Sequence, residues 1–305
     1  MRTSIKIIEV RLGEGNYPEL LNKISSPPQK LFIKSKLNTT DLSLLFKNCL
    51  GVVGSRNMTS YGKRAIRSIF SDLVKSKITI VSGFMHGVDI EAHKNALKFG
   101  LKTIAVMPCG INFVHPSDYE KDYNEVLASG GAIISEYSDK VPPKKYSYVK
   151  RNRIIAGLSK AVLAVESSLR SGTLITATLA NDYNRKLFTI PGSIFSNVFQ
   201  GNYQLYKNGA EFIISGADIN TFFGLSSAGK NILSGKVSVD SKVLDAITNK
   251  PDLERKILKT LFNEPMTIDD LSRLFKKPVG ELLSKLTMMA IEGLITEERG
   301  KFYAN

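Results

Sequence analysis

Cysteine is scarce in this sequence, and long apolar runs are missing from it. Only two of the 305 residues are cysteine, Cys49 and Cys109. Two cysteines are too few for a disulfide framework, and no CxxC spacing points to metal or redox chemistry. No apolar run approaches the roughly 18 residues of a membrane-spanning helix, and the first residues lack the apolar core of a signal peptide. We therefore expect a cytoplasmic, unexported protein that does not span a membrane.

Acidic residues are also few relative to basic ones. The chain has 42 lysines and arginines against 28 acidic residues, which gives a formal net charge of +14. A surplus of this size attracts polyanions through the release of their counterions. Nucleic acid is the first partner class that this charge indicates, and an anionic membrane surface is the second.

Short runs rich in valine and isoleucine alternate with helical patterns from residue 50 onward. The runs are GVV near residue 51, TIVS near 79, TIAVM near 103, AIIS near 132, AVLAV near 161, LFTI near 187 and EFII near 211. This alternation is typical of a parallel sheet with helices on both faces. We therefore predict one α/β domain over residues 49–222. Residues 1–48 have no clear period and are predicted to form a short N-terminal extension packed on that domain.

A second unit is predicted after a connecting segment. Residues 223–250 are rich in glycine, serine and lysine, the composition of a flexible linker. Residues 251–305 have apolar positions at helical spacing, with Thr267 placed to cap the second of three helices. Two extended segments then meet at Arg299 and Gly300. This order predicts a winged helix-turn-helix, and a generic three-helix cap is the alternative.

The positive charge is unevenly distributed between these units. Residues 251–305 contain nine basic and nine acidic residues, so the whole surplus lies in residues 1–250. Winged helices often read duplex DNA with their last helix, but a neutral one is poorly suited to a polyanion. We expect the α/β domain to bind nucleic acid and the tail to contact protein.

A glycine turn, GVVGSR, follows the first predicted strand. Gly54, Ser55 and Arg56 stand where the carboxyl edge of the sheet meets a helix start. Free backbone N–H groups and the positive end of the helix can face an anion there, and Arg56 can add a bidentate contact. The alternative is a tight turn with a surface arginine. Because the spacing is not GxGxxG, we expect no nicotinamide or other cofactor.

A second possible phosphate site follows the AVLAV run. Ser171 can cap a helix whose first N–H groups belong to Gly172 and Thr173, and Arg170 lies beside it. Parallel strands present all their carboxyl ends on one side of a sheet, so both helix starts should face one groove.

The densest basic and aromatic cluster of the chain is KVPPKKYSYVKRNR, residues 140–153. Cations can follow the backbone of a single strand while tyrosine rings stack on unpaired bases. A solvated charged face is the alternative. The side chains that we select as binding candidates are Lys145, Tyr148, Lys150, Arg151 and Arg153.

The histidines do not predict a metal site. In SGFMHGVDIEAH, residues 82–93, Asp89 is positioned to cap a helix and His93 to make a local hydrogen bond at the helix start. The spacing matches no known set of ligands, and His115 has no evident partner.

Taken in order, these motifs resemble the DprA/Smf family of bacterial DNA-processing proteins. The resemblance also includes AVMPCGINFVHP, RNRIIAGLS, IPGSIF and GNYQLYKNGA. It implies an extended Rossmann-like fold, a homodimer, sequence-independent binding of single-stranded DNA, and handover of that strand to the RecA recombinase in natural transformation. Tyr148 and Val149 stand where the family usually has Phe-Pro. The DNA pocket implied by the resemblance comprises Gly54, Ser55, Arg56, Lys145, Tyr148, Arg151 and Arg153.

Binding is favoured over catalysis, since the sequence has no Ser/His/Asp order in context and no paired carboxylates. A nucleotide phosphoribohydrolase is the competing enzyme hypothesis, but SGTLITA lacks the preceding Pro-Gly-Gly of those enzymes. A winged-helix transcription regulator is a third hypothesis, disfavoured by the neutral tail. The sequence further predicts that replacing Arg56, or both Lys145 and Arg151, weakens single-strand binding without unfolding the protein.

Overall fold

The computed structural model describes residues 4–225, 250–298 and 300–304. Contacts divide the chain into two compact units, residues 1–228 and 229–305. Most of the predicted linker, residues 226–249, lies outside the described residues. In the described ranges, every helix is too short or too polar to cross a membrane.

The first unit is built around a mixed sheet that contains all seven strands expected from the sequence. Across the sheet the order is β1-β2-β6-β5-β4-β3-β7-β8-β9. Neighbours from β6 to β9 in that order are parallel, whereas β2 pairs antiparallel with both β1 and β6. The strands are β1 (Lys6–Arg11), β2 (Lys30–Ser35), β3 (Cys49–Val53), β4 (Thr79–Ser82), β5 (Lys102–Val106), β6 (Ala132–Ser135), β7 (Ala161–Ala164), β8 (Lys186–Thr189) and β9 (Glu211–Phe212).

Helices cover both faces of this sheet. One face packs against α1, α6 and α7, and the other against α3, α4 and α9. The described helices of this unit are α1 (Glu19–Asn22), α2 (Thr39–Leu45), α3 (Ser60–Asp72), α4 (Val88–Lys98), α5 (Glu120–Ala128), α6 (Lys145–Leu158), α7 (Gly172–Asp182), α8 (Gln200–Lys207) and α9 (Gly216–Phe222). The predicted Rossmann-like fold is confirmed.

The N-terminal segment forms the antiparallel edge of the sheet. In β2 the side chains of Leu31 and Ile33 are buried and alternate with less buried neighbours, as expected for a strand with one face on the core. The alternation extends over only six residues, too few to stand out as a period in the sequence. Residues 1–48 therefore contribute two strands to the sheet itself.

The second unit is a winged helix. Its elements are α10 (Asp252–Asn263), β10 (Met266–Thr267), α11 (Ile268–Phe275), α12 (Val279–Ile291), β11 (Ile295–Glu298) and β12 (Lys301–Ala304). Thr267 caps α11 as predicted, because its hydroxyl accepts the N–H of Asp270 at 3.2 Å. β11 and β12 pair antiparallel on either side of Gly300, while Arg299 lies outside the described residues.

A histidine is fully buried between α4 and β5. The Nδ1 atom of His93 lies 2.7 Å from the hydroxyl of Thr103, so the predicted bond at the helix start was wrong. Its Nε2 atom has no hydrogen-bond partner in the described part of the chain. Burial, aided by the charge of Arg151, lowers the pKa of His93 from 6.5 to about 3.

We therefore expect the stability of the protein to fall as the pH drops below 6.5. The unfolded chain binds a proton at His93 near pH 6.5, whereas the folded protein resists it until about pH 3. Between these values each pH unit costs about 1.4 kcal/mol of folding free energy. Urea unfolding at pH 7.5 and 5.5 checks this: the loss should be about 1.4 kcal/mol smaller in His93→Gln than in the wild type. Equal losses would contradict the prediction.

Candidate nucleic-acid interface

Five loops that leave the carboxyl edge of neighbouring parallel strands are nearly free of acidic residues, whereas the loop after β6 at the same edge, residues 136–144, carries Glu136 and Asp139. In spatial order from β5 through β4, β3 and β7 to β8, these carboxyl-edge loops are residues 107–116, 83–87, 54–59, 165–171 and 190–199. The chain reverses direction across the sheet between β3 and β7, the type of switch point at which open α/β sheets bind ligands. Glu166 is the one acidic residue in these loops, and its side chain is buried. The exposed surface of the loops therefore suits an anion.

Glu166 joins the loop after β7 to the start of α3. Its carboxylate accepts the N–H of Thr59 at 3.0 Å and the hydroxyl of the same residue. Burial raises the pKa of Glu166, while hydrogen bonds from Thr59 and Gly62 oppose that rise. Glu166 is absent from the candidates selected from the sequence, although an acid directly after a buried strand is a usable signal.

Two N–H groups of the first glycine turn are already bonded within the protein. The N–H of Ser55 donates to the Glu166 carbonyl at 2.8 Å, and the N–H of Asn57 donates to the Ser55 hydroxyl at 3.1 Å. Because the Glu166 carboxylate also lies at the positive end of α3, this turn offers an anion fewer free N–H groups than the sequence predicts. The side chain of Arg56 remains exposed for an anion.

Two glycines allow the turn after β3 to approach the start of α4. A Cβ on Gly54 would lie 2.4 Å from Val88 Cγ2, and one on Gly87 would lie 2.2 Å from the Ser55 carbonyl oxygen. Gly87 also has a φ of +76°, which favours glycine. This close packing fixes the backbone that presents Arg56.

Arg56 is part of a cluster of cations and aromatic rings. Its Cζ atom lies 5.2 Å from the ring centroid of Tyr148, within cation–π range. The Tyr148 hydroxyl bonds to Nε2 of His115 at 2.8 Å, so the prediction that His115 lacks a partner was wrong. Burial and the neighbouring charges of His86 and Arg56 lower the pKa of His115. His86 in turn bonds to the hydroxyl of Tyr119 at 2.9 Å.

The basic residues of the predicted cluster do not all lie on the same side of α6: some are exposed and others are buried. Lys145 and Lys150 are exposed, with Lys150 3.7 Å from Glu136. In contrast, Arg151 is only 4% exposed, and Arg153 is buried in an ion pair with Glu136. The two arginines thus lie beneath the surface that Lys145 and Tyr148 present, because α6 packs one face on the sheet. They are not exposed as a strand contact requires.

Arg151 lies under the loop after β4, beside Asp89. Its Nη1 atom donates to the Val106 carbonyl, and a Cβ on Gly83 would lie 2.2 Å from that nitrogen and 2.5 Å from Oδ2 of Asp89. Burial raises the pKa of Asp89, and the charge of Arg151 opposes the rise. The predicted cap was misplaced, since Gly87 is at the cap position of α4 and Asp89 lies in its first turn. The described ranges contain no group of His, Cys, Asp and Glu that could hold a metal ion.

N–H groups remain available at the start of α7. Ser171 is at the cap position, but its hydroxyl bonds to the Ser167 hydroxyl at 2.7 Å and does not cap the helix as predicted. Within the described residues, the N–H groups of Gly172 and Thr173 have no acceptor. Arg170 is exposed beside them. An anion here would meet N–H donors and a guanidinium together.

Comparisons with known proteins match both units. The family model of DNA recombination-mediator protein A matches residues 9–224, and that of the DprA winged helix domain matches residues 245–301. Protein Smf of Synechocystis sp. is 34% identical over 95% of this chain and 78% of its own length. Protein Smf of Escherichia coli is 34% identical over 94% of this chain and 74% of its own length.

Two solved structures have the same fold as the first unit. DNA processing protein A from Streptococcus pneumoniae is 34% identical, with a TM-score of 0.65 over 71% of this chain and 74% of that one. DNA processing protein A from Helicobacter pylori, described for its single-stranded DNA binding mode, is 31% identical, with a TM-score of 0.63 over 73% of this chain and 99% of that one.

Proposed function

The chain belongs to the DprA family of DNA-processing proteins, and from that premise we propose that it binds single-stranded DNA without base preference and loads RecA recombinase on it. The observation that carries the proposal is the set of carboxyl-edge loops, in which Arg56 and Arg170 are exposed and the single acid is buried. Loading of RecA, action as a homodimer and a role in natural transformation rest on family membership alone.

Phosphates of the strand would lie along the exposed cations. Arg56 offers a planar guanidinium from the loop after β3, and Lys145 offers an ammonium at the start of α6. At the start of α7, Arg170 and the N–H groups of Gly172 and Thr173 supply a second set of donors. These contacts recognise charge and carry no base information.

An unpaired base would lie against Tyr148. The hydrogen bond to His115 fixes the orientation of this ring, and Arg56 lies over it. Base–aromatic stacking tolerates every base, which accounts for binding without sequence preference. Bases in a duplex are already stacked on one another, so this contact favours single strands.

Arg151 and Arg153 are assigned a positioning role in this proposal. Arg151 links the end of β5 to α4 through the Val106 carbonyl and the charge of Asp89 and packs under Gly83 of the loop after β4, and Arg153 holds Glu136. Lys150 lies 3.7 Å from Glu136, so part of its charge is already balanced there. The direct contacts are assigned to Arg56, Lys145, Tyr148 and the start of α7.

The side chains of the winged helix argue against the hypothesis of a transcription regulator. Lys285, the one basic residue of α12, lies 3.6 Å from Glu254. Reading base edges needs donors and acceptors such as arginine or asparagine on the exposed face of this helix. That face instead carries mostly apolar and small side chains, including Val279, Leu283, Thr287, Met288 and Ile291.

The phosphoribohydrolase alternative is disfavoured by the same loops. A general base or nucleophile must reach the substrate. Glu166 is the only carboxylate of the five carboxyl-edge loops, and it is buried and bonded to Thr59. In the loop after β6, Glu136 is paired with Arg153 and Asp139 accepts a hydrogen bond from Asn112. We therefore expect no release of base from nucleoside monophosphates.

Fluorescence anisotropy tests the proposed function. A labelled oligo-dT and a matching duplex are titrated at two salt concentrations with the full chain and with a chain ending at Leu225. We expect binding that prefers the single strand, weakens steeply with salt and persists in the shorter chain. Preference for the duplex, or loss of single-strand binding in the shorter chain, would overturn the assignment to the first unit.

A further inference from the structure

The loop between β8 and α8, residues 190–199, has an exposed apolar tip. Phe195 is 92% exposed, the largest value for any aromatic residue that the structure describes, and Ile194 is 71% exposed. Single apolar side chains on a surface need no explanation, but two large ones side by side at the tip of a loop suggest a contact with a partner.

Hydrogen bonds at the base of this loop hold its tip outward. The Pro191 carbonyl accepts the hydroxyl of Tyr61 at 2.7 Å, and the Gly192 carbonyl accepts the hydroxyl of Tyr203. Residues 193–196 close a turn in which both apolar side chains point to solvent. The tip is therefore fixed before any partner arrives, which lowers the entropy lost on binding.

The residues around the tip favour a partner that combines negative charges, such as phosphates, with flat apolar groups. The loop after β7, which carries Arg170, is bonded to the start of α8 because the N–H of Gly201 donates to the Ser167 carbonyl at 2.7 Å. Adjacent strands are about 4.8 Å apart, so the loops after β3, β7 and β8 begin within about 10 Å of one another. Residues 190–199 contain no charged side chain, so nothing in this loop repels a phosphate.

We propose that Phe195, flanked by Ile194, is a second stacking platform for an unpaired base of the strand whose phosphates lie on Arg56 and Arg170. The inference rests on the proposed function and extends the bound strand from α6 to the loop after β8. Cations combined with an exposed aromatic ring are what single-strand sites use. Phe195 and Ile194 alone are too small for a stable protein interface, which buries roughly 800 Å² on each partner.

Tryptophan fluorescence can test this directly, because the chain contains no tryptophan. In the Phe195→Trp variant the single indole should keep the affinity for oligo-dT, and its emission should fall when the strand binds and a base stacks on it. Leu44→Trp is the matched control, since Leu44 is 64% exposed in α2, just before the opposite end of β3. Its emission should stay unchanged.

A second variant measures the contribution to affinity. We expect Phe195→Ala to weaken oligo-dT binding roughly five- to a hundredfold, with an unchanged urea midpoint. Strand binding by anisotropy without quenching in Phe195→Trp would overturn the platform and leave the proposed function standing. If the wild type binds no single strand, both fail. If Phe195→Ala binds normally but has a lower sedimenting mass, the tip contacts a second copy of the chain and the platform is wrong.

Discussion

Replacing Arg56 with alanine should weaken single-stranded DNA binding roughly ten- to a hundredfold and leave the free energy of unfolding unchanged. A charge-assisted hydrogen bond to phosphate contributes about 1.5 to 3 kcal/mol, and each 1.4 kcal/mol is a factor of ten in affinity. The side chain is exposed and lies over the ring of Tyr148, so the fold loses little. Anisotropy with oligo-dT and urea unfolding measure the two quantities.

Matched variants separate a specific contact from a loss of charge. Lys47→Ala removes one exposed positive charge close to the opposite end of β3 and should change affinity by less than twofold. Removing a phosphate contact at Arg56 should also lower the slope of log affinity against log salt by about one. If Arg56→Ala matches Lys47→Ala in affinity and slope, Arg56 does not contact the strand.

Local patterns in the sequence were sufficient for the elements of the sheet. Most of strands β3 to β7 are short runs of valine, isoleucine and other apolar residues buried between helices, and such runs separated by helical patterns have few other solutions. The antiparallel strands β1 and β2 at one side of the sheet were not predicted, because a short strand with one partly exposed face leaves only a few alternating positions. The Thr267 cap was predicted because its hydrogen bond is local.

The site was predicted less completely because its key contacts join residues far apart in the chain. Glu166 meets Thr59 across 107 positions, and His115 meets Tyr148 across 33. No periodicity or local motif reports such pairs. The same limit explains why the burial of Arg151 and Arg153 in the basic cluster was not predicted. The sequence gives the number of charges in α6 but not the face of the helix that packs on the sheet.

Replacing Arg151 with alanine should destabilise the protein by about 3 kcal/mol or more, contrary to the expectation from sequence that binding weakens without unfolding. Removing one partner of a buried charge pair leaves the other charge uncompensated, which costs about 3 to 5 kcal/mol. Arg151 is 4% exposed, donates to the Val106 carbonyl and balances the charge of Asp89. Urea unfolding of the variant measures the loss.

The pH dependence of that loss identifies Asp89 as its source. Without Arg151, burial raises the pKa of Asp89 further above its unfolded value of 3.8. The folded variant then binds a proton that the unfolded chain releases, so its stability should fall as the pH rises from 4 toward 8 relative to the wild type. Adding Asp89→Asn to Arg151→Ala removes the buried charge and should recover part of the stability and abolish the extra slope. If the double variant keeps the dependence of stability on pH shown by Arg151→Ala, an acid other than Asp89 is responsible. If Arg151→Ala is as stable as the wild type, the buried pair of Arg151 and Asp89 does not stabilise the fold. Arg151 would then again be a candidate for direct contact with DNA.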